Sequence, residues 1–161
     1  MKQIKRALSS KAGFTLTELL ASVAIMGILF AAIVVGINSC AHVYRRSVSY
    51  SDAQTLTSTV ATALENELRY ARNIKDVSGK VSFDSDAFGS GVSVDSDSGH
   101  VVIVGAAKTY QLLSDSAYTN ALSAAATVDS YTSGVFTVTI TVTGALISTQ
   151  TTTLSIRALN P

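Results

Sequence analysis

The chain begins with a polar, basic segment that gives way to an uninterrupted apolar run. Between Leu19 and Tyr44 there is no Asp, Glu, Lys or Arg, and the most apolar part extends from Leu19 to Ile37. Because a helix needs about 20 consecutive apolar residues to cross a bilayer, this run predicts a membrane-spanning helix. Four basic residues precede the run and two follow it directly. This asymmetry predicts that the N-terminus stays in the cytoplasm.

The next segment is polar but keeps a helical period. Its apolar residues recur at spacings of three or four positions, as on one face of a helix. They are Leu56, Val60, Leu64, Leu68, Ala71 and Ile74. Glu65 and Arg69 are four residues apart in the order that stabilises a helix. We therefore predict that the helix continues to Lys75, packs this stripe on a sheet, and stops within residues 76–79.

Short β-prone runs separated by Asp, Ser and Gly follow from residue 80 onward, and they predict strands. The clearest is Phe136–Val142, where apolar residues alternate strictly with Thr, before Gly144 and a return strand. Residues 115–126 between these runs predict a short helix or an ordered loop. The expected fold is α+β: a long N-terminal helix, half apolar and half amphipathic, packed on a small antiparallel sheet of about four to six strands.

Composition narrows the range of functions. Only 14% of the 161 residues are charged, against about 25% in soluble domains, which again favours a membrane segment. A single cysteine, Cys40, excludes an internal disulfide, and Cys40, His42 and His100 are too scattered for a zinc site. A net charge of +1 provides no basic stripe for nucleic acid. We expect neither redox chemistry nor a nucleic-acid partner.

Glu18 lies just inside the apolar run, where a carboxylate needs a partner because its burial in lipid costs about 2.5–3.5 kcal/mol at a helix centre. The surrounding segment resembles the N-terminus of type IV prepilins and of the related type II secretion pseudopilins and competence pilins. The resemblance rests on the basic leader, the junction of Gly13 and Phe14, the sequence FTLTELL from Phe14 to Leu20, and the apolar run. It departs from many type IV pilins in two respects. The membrane helix has no proline to kink it, since the only proline is Pro161, and the head lacks the cysteine pair that closes the C-terminal loop in many Gram-negative pilins.

This resemblance implies that a prepilin peptidase cuts after Gly13 and methylates the new amine of Phe14. Glu18 would then compensate the amine of an adjacent subunit in the filament, which offsets the desolvation of both charges. The implied division of the chain is a leader (1–13), a transmembrane and filament-core helix (14–46), an amphipathic helix half (47–77) and a β-rich head (78–161), together a pilin fold.

The implied function is that of a structural subunit of a type IV pilus or related filament. The stretch from Glu65 to Ile74, ENELRYARNI, resembles the end of the long helix in minor pilins and minor pseudopilins. Together with the small head, which contains no cysteine, it favours a minor pilin. The implied partners are other pilin subunits, prepilin peptidase, the inner-membrane pilus assembly machinery and, before assembly, membrane lipid. The implied location is the bacterial inner membrane, spanned once with the N-terminus in the cytoplasm, and then an extracellular filament.

Alternatives share parts of this pattern. A secretion pseudopilin or a competence pilin has the same N-terminus. A membrane-anchored surface-binding domain that never polymerises is a different class, as is a lipoprotein, since Ile37–Cys40 faintly resembles a lipobox. A secretory signal peptide is disfavoured because its apolar region has only about 7 to 15 residues. Cleavage at Gly13 and a requirement for Glu18 separate the pilin-like proteins from these other classes.

One acidic segment has a partial metal-binding pattern. Asp84, Asp86, Gly89 and Asp95 occupy positions 1, 3, 6 and 12 of a calcium loop, but Phe88 replaces the ligand at position 5 and strand-like segments flank it. Turns rich in Asp, Ser and Gly explain the same composition, and we favour that interpretation. The chain has neither a phosphate-binding loop nor a Gly-x-Ser-x-Gly elbow, so we predict no enzyme activity and no cofactor.

Overall fold

A computed structural model describes residues 15–77 and 79–159. The chain divides into two compact units, residues 1–43 and 44–161. The first helix, α1 (Leu16–Arg69), is 54 residues long and contributes residues to both units. In the first unit every described residue is exposed. The helix is long and apolar enough to cross a membrane, and its most apolar window is not buried against any described part of the protein.

The second unit combines the rest of α1 with two antiparallel sheets. The first sheet has the order β1-β2-β3-β4-β5 and the second the order β6-β7-β8. The strands are β1 (Arg72–Val77), β2 (Lys80–Ser85), β3 (Gly89–Asp97), β4 (His100–Val104), β5 (Thr109–Gln111), β6 (Ser123–Thr132), β7 (Val135–Gly144) and β8 (Ile147–Arg157). A single turn of 3₁₀-helix, Asp115–Ala117, lies between β5 and β6. The α+β fold expected from the sequence is confirmed and is consistent with a pilin fold.

The core of the second unit forms between the helical stripe and the two sheets. The predicted stripe is buried from Leu56 to Ala71, and each of its side chains there is at most 2% exposed. Phe83 on β2 and Phe136 on β7 meet edge to face with ring centroids 6.3 Å apart, so one aromatic pair joins both sheets. On β7, Phe136, Val138, Ile140 and Val142 are fully buried while the intervening threonines are not, which confirms the predicted alternation.

The prediction that the helix extends to Lys75 is wrong at its C-terminal end. The helix stops at Arg69, and Arg72–Val77 forms β1, which pairs with β2. Asn73 has a left-handed φ of 50°, which a continuing helix does not accept. The N–H of Leu159 donates to the carbonyl of Arg69 at 2.9 Å, so a distant segment satisfies one of the carbonyls that the last helical turn leaves open.

The expectation of one sheet is also corrected, because the strands form two. A side chain makes the junction between them: the Ser96 hydroxyl on β3 contacts the backbone of Ala126 on β6. Next to it the N–H of Ala124 donates to the carbonyl of Gly99 at 2.8 Å. The predicted helix or loop over residues 115–126 is right up to Leu122 and wrong beyond it, since β6 begins at Ser123.

Candidate assembly site at the start of the long helix

The first turn of α1 is closed by a reciprocal cap between Thr15 and Glu18. The backbone N–H and the hydroxyl of Thr15 each donate to Oε2 of Glu18 at 3.0 Å, and the N–H of Glu18 approaches Oγ1 of Thr15 at 3.3 Å. This is the capping box that a Thr-x-x-Glu sequence forms at a helix start. The Thr-x-x-Glu spacing of Thr15 and Glu18 is the sequence signal from which this cap could have been predicted.

This cap fixes where the Glu18 carboxylate lies. The side chain stays beside the first N–H groups of the helix, where the aligned peptide dipoles favour a negative charge. Ser22 Oγ donates to the carbonyl of Glu18 at 2.8 Å, one turn further on. A carboxylate has about four acceptor positions, so bonds from Thr15 leave capacity for a further donor. Gly13 and Phe14, the expected processing junction, lie outside the described residues.

The apolar part of α1 exposes large side chains on all sides. Twelve of them, each more than half exposed, are Leu19, Leu20, Val23, Ile25, Met26, Ile28, Leu29, Phe30, Ile33, Val34, Val35 and Ile37. A helix that is apolar all round belongs in lipid or among other helices. One shallow depression of about 380 Å³ lies around Gly27, lined by Ser22, Val23, Met26 and Phe30 as well. Nothing lies within 4 Å of where a Cβ on Gly27 would stand.

The three aspartates of the calcium-like pattern have separate protein partners. Asp84 accepts hydrogen bonds from Asn73 Nδ2 at 2.7 Å and from the N–H of Gly91 at 2.8 Å. The hydrogen bond from Asn73, and then that from Gly91, hold the pKa of Asp84 below its usual value. Asp86 forms an ion pair with Arg72, and Asp95 Oδ1 accepts from the N–H of Ser96 at 2.8 Å.

These carboxylates do not converge on a common point. Across residues 15–77 and 79–159, no group of three or more His, Cys, Asp or Glu side chains is placed to hold a metal ion. The segment instead builds the β2–β3 turn, where Ser85 Oγ accepts from the N–H groups of Ala87 and Phe88. The same hydroxyl donates to Glu67 Oε2 at 2.8 Å and so connects this turn to α1.

Comparison with known proteins identifies the N-terminal segment. A family model described as the prokaryotic N-terminal methylation motif matches residues 8–34, which include Gly13, Phe14, Glu18 and most of the apolar run. No curated protein and no solved structure matches the chain. The resemblance seen in the sequence is thereby confirmed.

With the long apolar helix, the match defines the class: the chain carries a type IV prepilin-like signal on a helix suited to a membrane. This signal supports a type IV pilin-like protein in the general sense that covers pilins and pseudopilins. Proteins with this motif are structural subunits rather than enzymes. The motif also implies processing by a prepilin peptidase and association with pilin-type subunits, and the apolar helix implies membrane anchoring.

Proposed function

We propose that the protein is a structural subunit, specifically a minor pilin, of a type IV pilus or related filament. It is cut after Gly13 by prepilin peptidase and assembles through the N-terminal part of α1. The observation that carries this proposal is the match over residues 8–34, with Glu18 in the first turn of a helix whose apolar surface has no cover within the described protein.

Cleavage would give Glu18 its partner. Removal of residues 1–13 leaves an α-ammonium on Phe14, and the Thr15 cap holds the Glu18 carboxylate at the same end of the helix. An ammonium from an adjacent subunit would donate to this carboxylate in the filament core. Pairing offsets part of the desolvation of both charges, and a misplaced subunit would leave a buried charge unpaired. Glu18 therefore sets the register between subunits.

Close packing of the apolar helices would supply the remaining contacts. Transfer from lipid to a helix bundle brings no hydrophobic gain, so association depends on shape and on small residues. The depression at Gly27 is open and bordered by Met26 and Phe30, and this shape suits a side chain from a neighbouring helix. Before assembly the same surface lies in the inner membrane, spanned once with the N-terminus in the cytoplasm. After assembly the second unit lies on an extracellular filament.

The preference for a minor pilin rests on the stretch from Glu65 to Ile74 and on the small head, whose sequence contains no cysteine. In this stretch Glu65 pairs with Arg69 in the last turn of α1. A type II secretion pseudopilin and a competence pilin are the alternatives within the same class, and they share the N-terminal signal. A membrane-anchored surface-binding domain that does not polymerise, or a lipoprotein, is the alternative outside it. For these two, neither Gly13 nor Glu18 has a role.

The experiment that tests the proposal is the intact mass of the protein from its native host, measured in membranes and in filaments sheared from cells. Loss of residues 1–13 with the gain of one methyl group is the expected result in both fractions. A low abundance in the sheared fraction is expected for a minor pilin. An intact leader, or a cut or lipid attachment near Cys40, would show that the protein is not processed as a prepilin.

A further inference from the structure

We propose that the end of the second unit nearest Tyr44 binds the phospholipid headgroups of the membrane that α1 spans. The surface is a groove lined by Tyr44, Arg45, Val48, Ser49, Asn120 and Leu146, here called the interfacial groove. The inference rests on the membrane anchoring in the proposed function. It adds a second membrane contact, to which Asn120 and Leu146 contribute although they lie far along the chain from the spanning helix.

The interfacial groove is open and largely apolar. It encloses about 360 Å³ between the first turns of α1 in this unit and two loops, one at Asn120 and one at the β7–β8 turn. Leu146, at the tip of that turn, is 44% exposed although it is a large apolar residue, and Tyr44 opposite it is 71% exposed. An exposed leucine and an exposed tyrosine that line one groove suit the interface between lipid and water, where tyrosine is enriched in membrane proteins.

Both loops are held in place by the next turn of the helix. The hydroxyls of Tyr50 and Ser148 are 2.9 Å apart, which ties the start of β8 to α1. Asn120 Nδ2 donates to Asp52 Oδ2, which ties the other loop to the same turn. The groove is therefore preformed, and binding there does not need to order a flexible loop.

The charges at this end of the unit suit a phosphate. Arg45 is the only charged residue in the groove lining, and Arg46 is its neighbour in the sequence. The nearest acidic side chain along the helix, Asp52, already accepts a bond from Asn120. A guanidinium binds two oxygens of a phosphate diester at once, so a phospholipid headgroup satisfies Arg45 while its acyl chains meet Leu146.

The position along the sequence brings Tyr44 close to the headgroup layer. Tyr44 follows Ile37, the last residue of the most apolar run, by about two helical turns, or about 10 Å at 1.5 Å per residue. The headgroup layers begin where the hydrocarbon core of about 30 Å ends. The headgroup layer adds about 5–7 Å on each side of that core, so Tyr44 stands at its outer edge, and the long side chains of Tyr44 and Arg45 can reach back to the phosphates.

The chain contains no tryptophan, so a single introduced tryptophan reports its own surroundings. The test uses the full chain in vesicles of phosphatidylcholine and phosphatidylglycerol, with and without bromine on the acyl chains, which quenches nearby tryptophan. Leu146→Trp reads the groove, and Tyr44→Trp reads it independently if the first variant folds poorly. Val77→Trp is the matched control, because Val77 is an apolar residue 66% exposed on β1. Phe30→Trp reports insertion of the spanning helix.

The proposal expects strong quenching and a blue shift for Leu146→Trp, and no quenching for Val77→Trp. In the Leu146→Trp background, Arg45→Gln should weaken the quenching, while Lys75→Gln should leave it unchanged. Quenching of Phe30→Trp without quenching of either groove variant would overturn the headgroup contact and leave the anchoring intact. Loss of quenching at Phe30→Trp would instead refute the anchoring. Quenching at Leu146→Trp that disappears when the protein is concentrated in the vesicle would assign the groove to a second copy of the chain.

Discussion

A single hydroxyl, that of Ser96 on β3, takes the place of a neighbouring strand for Ala126 on β6. Ser96 Oγ accepts the N–H of Ala126 at 3.0 Å and donates to the carbonyl of the same residue at 3.4 Å. Ala126 is fully buried, so water cannot replace either bond. Ser96 therefore joins the two sheets beside the backbone hydrogen bond from Ala124 to Gly99.

Replacement of Ser96 by alanine should destabilise the second unit. Ser96→Ala leaves a buried N–H and a buried carbonyl without a partner, which costs about 1–3 kcal/mol. Chemical denaturation of the full chain in detergent, followed by near-ultraviolet circular dichroism, measures the loss. Ser155→Ala, at an exposed position on β8, is the control and should stay within about 0.5 kcal/mol of the unmodified protein. Equal stability of the two variants would show that Ser96 does not join the sheets.

Gly99 beside this junction should tolerate no side chain. Its φ is 82°, and a Cβ there would stand 2.8 Å from the Cβ of Ser123. Gly99→Ala therefore combines backbone strain with a clash, and we expect a loss of more than about 1–3 kcal/mol, the usual cost of the strain alone. Gly134→Ala separates the two effects, because Gly134 has a φ of 80° and nothing within 4 Å. If both variants lose the same stability under denaturation, the contact with Ser123 is unimportant.

The charge and the cap of Glu18 can be separated by two substitutions. Glu18→Gln keeps an acceptor for Thr15, since glutamine also completes a capping box, but it removes the charge. We expect this variant to insert in the membrane, to be cleaved and to be absent from sheared filaments. Thr15→Val keeps the charge and loses the hydroxyl of the cap, at a cost of about 1 kcal/mol in helix stability. It should still enter filaments.

Immunoblots of membrane and sheared fractions, with intact masses to verify cleavage, compare the two variants. Thr15→Ser keeps the hydroxyl and is the control for changes in peptidase recognition next to Phe14. Normal incorporation of Glu18→Gln into filaments would remove the charge pairing from the proposal. Failure of Thr15→Val together with success of Glu18→Gln would assign the role of Glu18 to the helix cap.

The bonds to Asp84 should make the β1–β2 region sensitive to acid. The pKa of Asp84 is lower in the folded protein than its ordinary value of 3.8 because Asn73 and Gly91 donate to the ionised form. This stabilisation is complete above pH 3.8 and is lost as the pH falls through the lower folded pKa. The difference in melting temperature between the unmodified protein and Asp84→Asn should therefore shrink on acidification. A difference that stays constant down to pH 2 would contradict this assignment.

The sequence was most informative where a period is long and regular. The apolar run, the stripe from Leu56 to Leu68 and the alternation over Phe136–Val142 each predicted the observed element, because burial on one face imposes the repeat. The end of the helix was not legible in this way. Ala71 and Ile74 continue the helical spacing beyond Arg69, yet Ile74 lies on β1, because pairing with β2 and the left-handed φ of Asn73 outweigh these two further repeats of the stripe.

Contacts between segments far apart in the chain could not be predicted from the sequence either. The break between the two sheets depends on how Ser96 meets Ala126, 30 residues away, and no local pattern encodes such a pairing. The candidate functional residues likewise separate into those that the sequence identifies and those that only the fold reveals. Glu18 stood out because it is a charge in an apolar segment, whereas the interfacial groove combines Arg45 with Leu146, which only the fold brings together.

The outer face of the β7–β8 hairpin consists of facing hydroxyl residues. Thr137, Thr139 and Thr141 on β7 stand opposite Ser155, Thr153 and Thr151 on β8. Uncharged cross-strand pairs contribute about 0.2–1 kcal/mol each and do not respond to ionic strength, whereas exposed ion pairs weaken as salt is added. Arg72 with Asp86 is such an exposed pair. The stability of the β7–β8 hairpin should therefore be the same at low and at high ionic strength, whereas the edge of the sheet at β1 should lose stability first as the salt concentration rises.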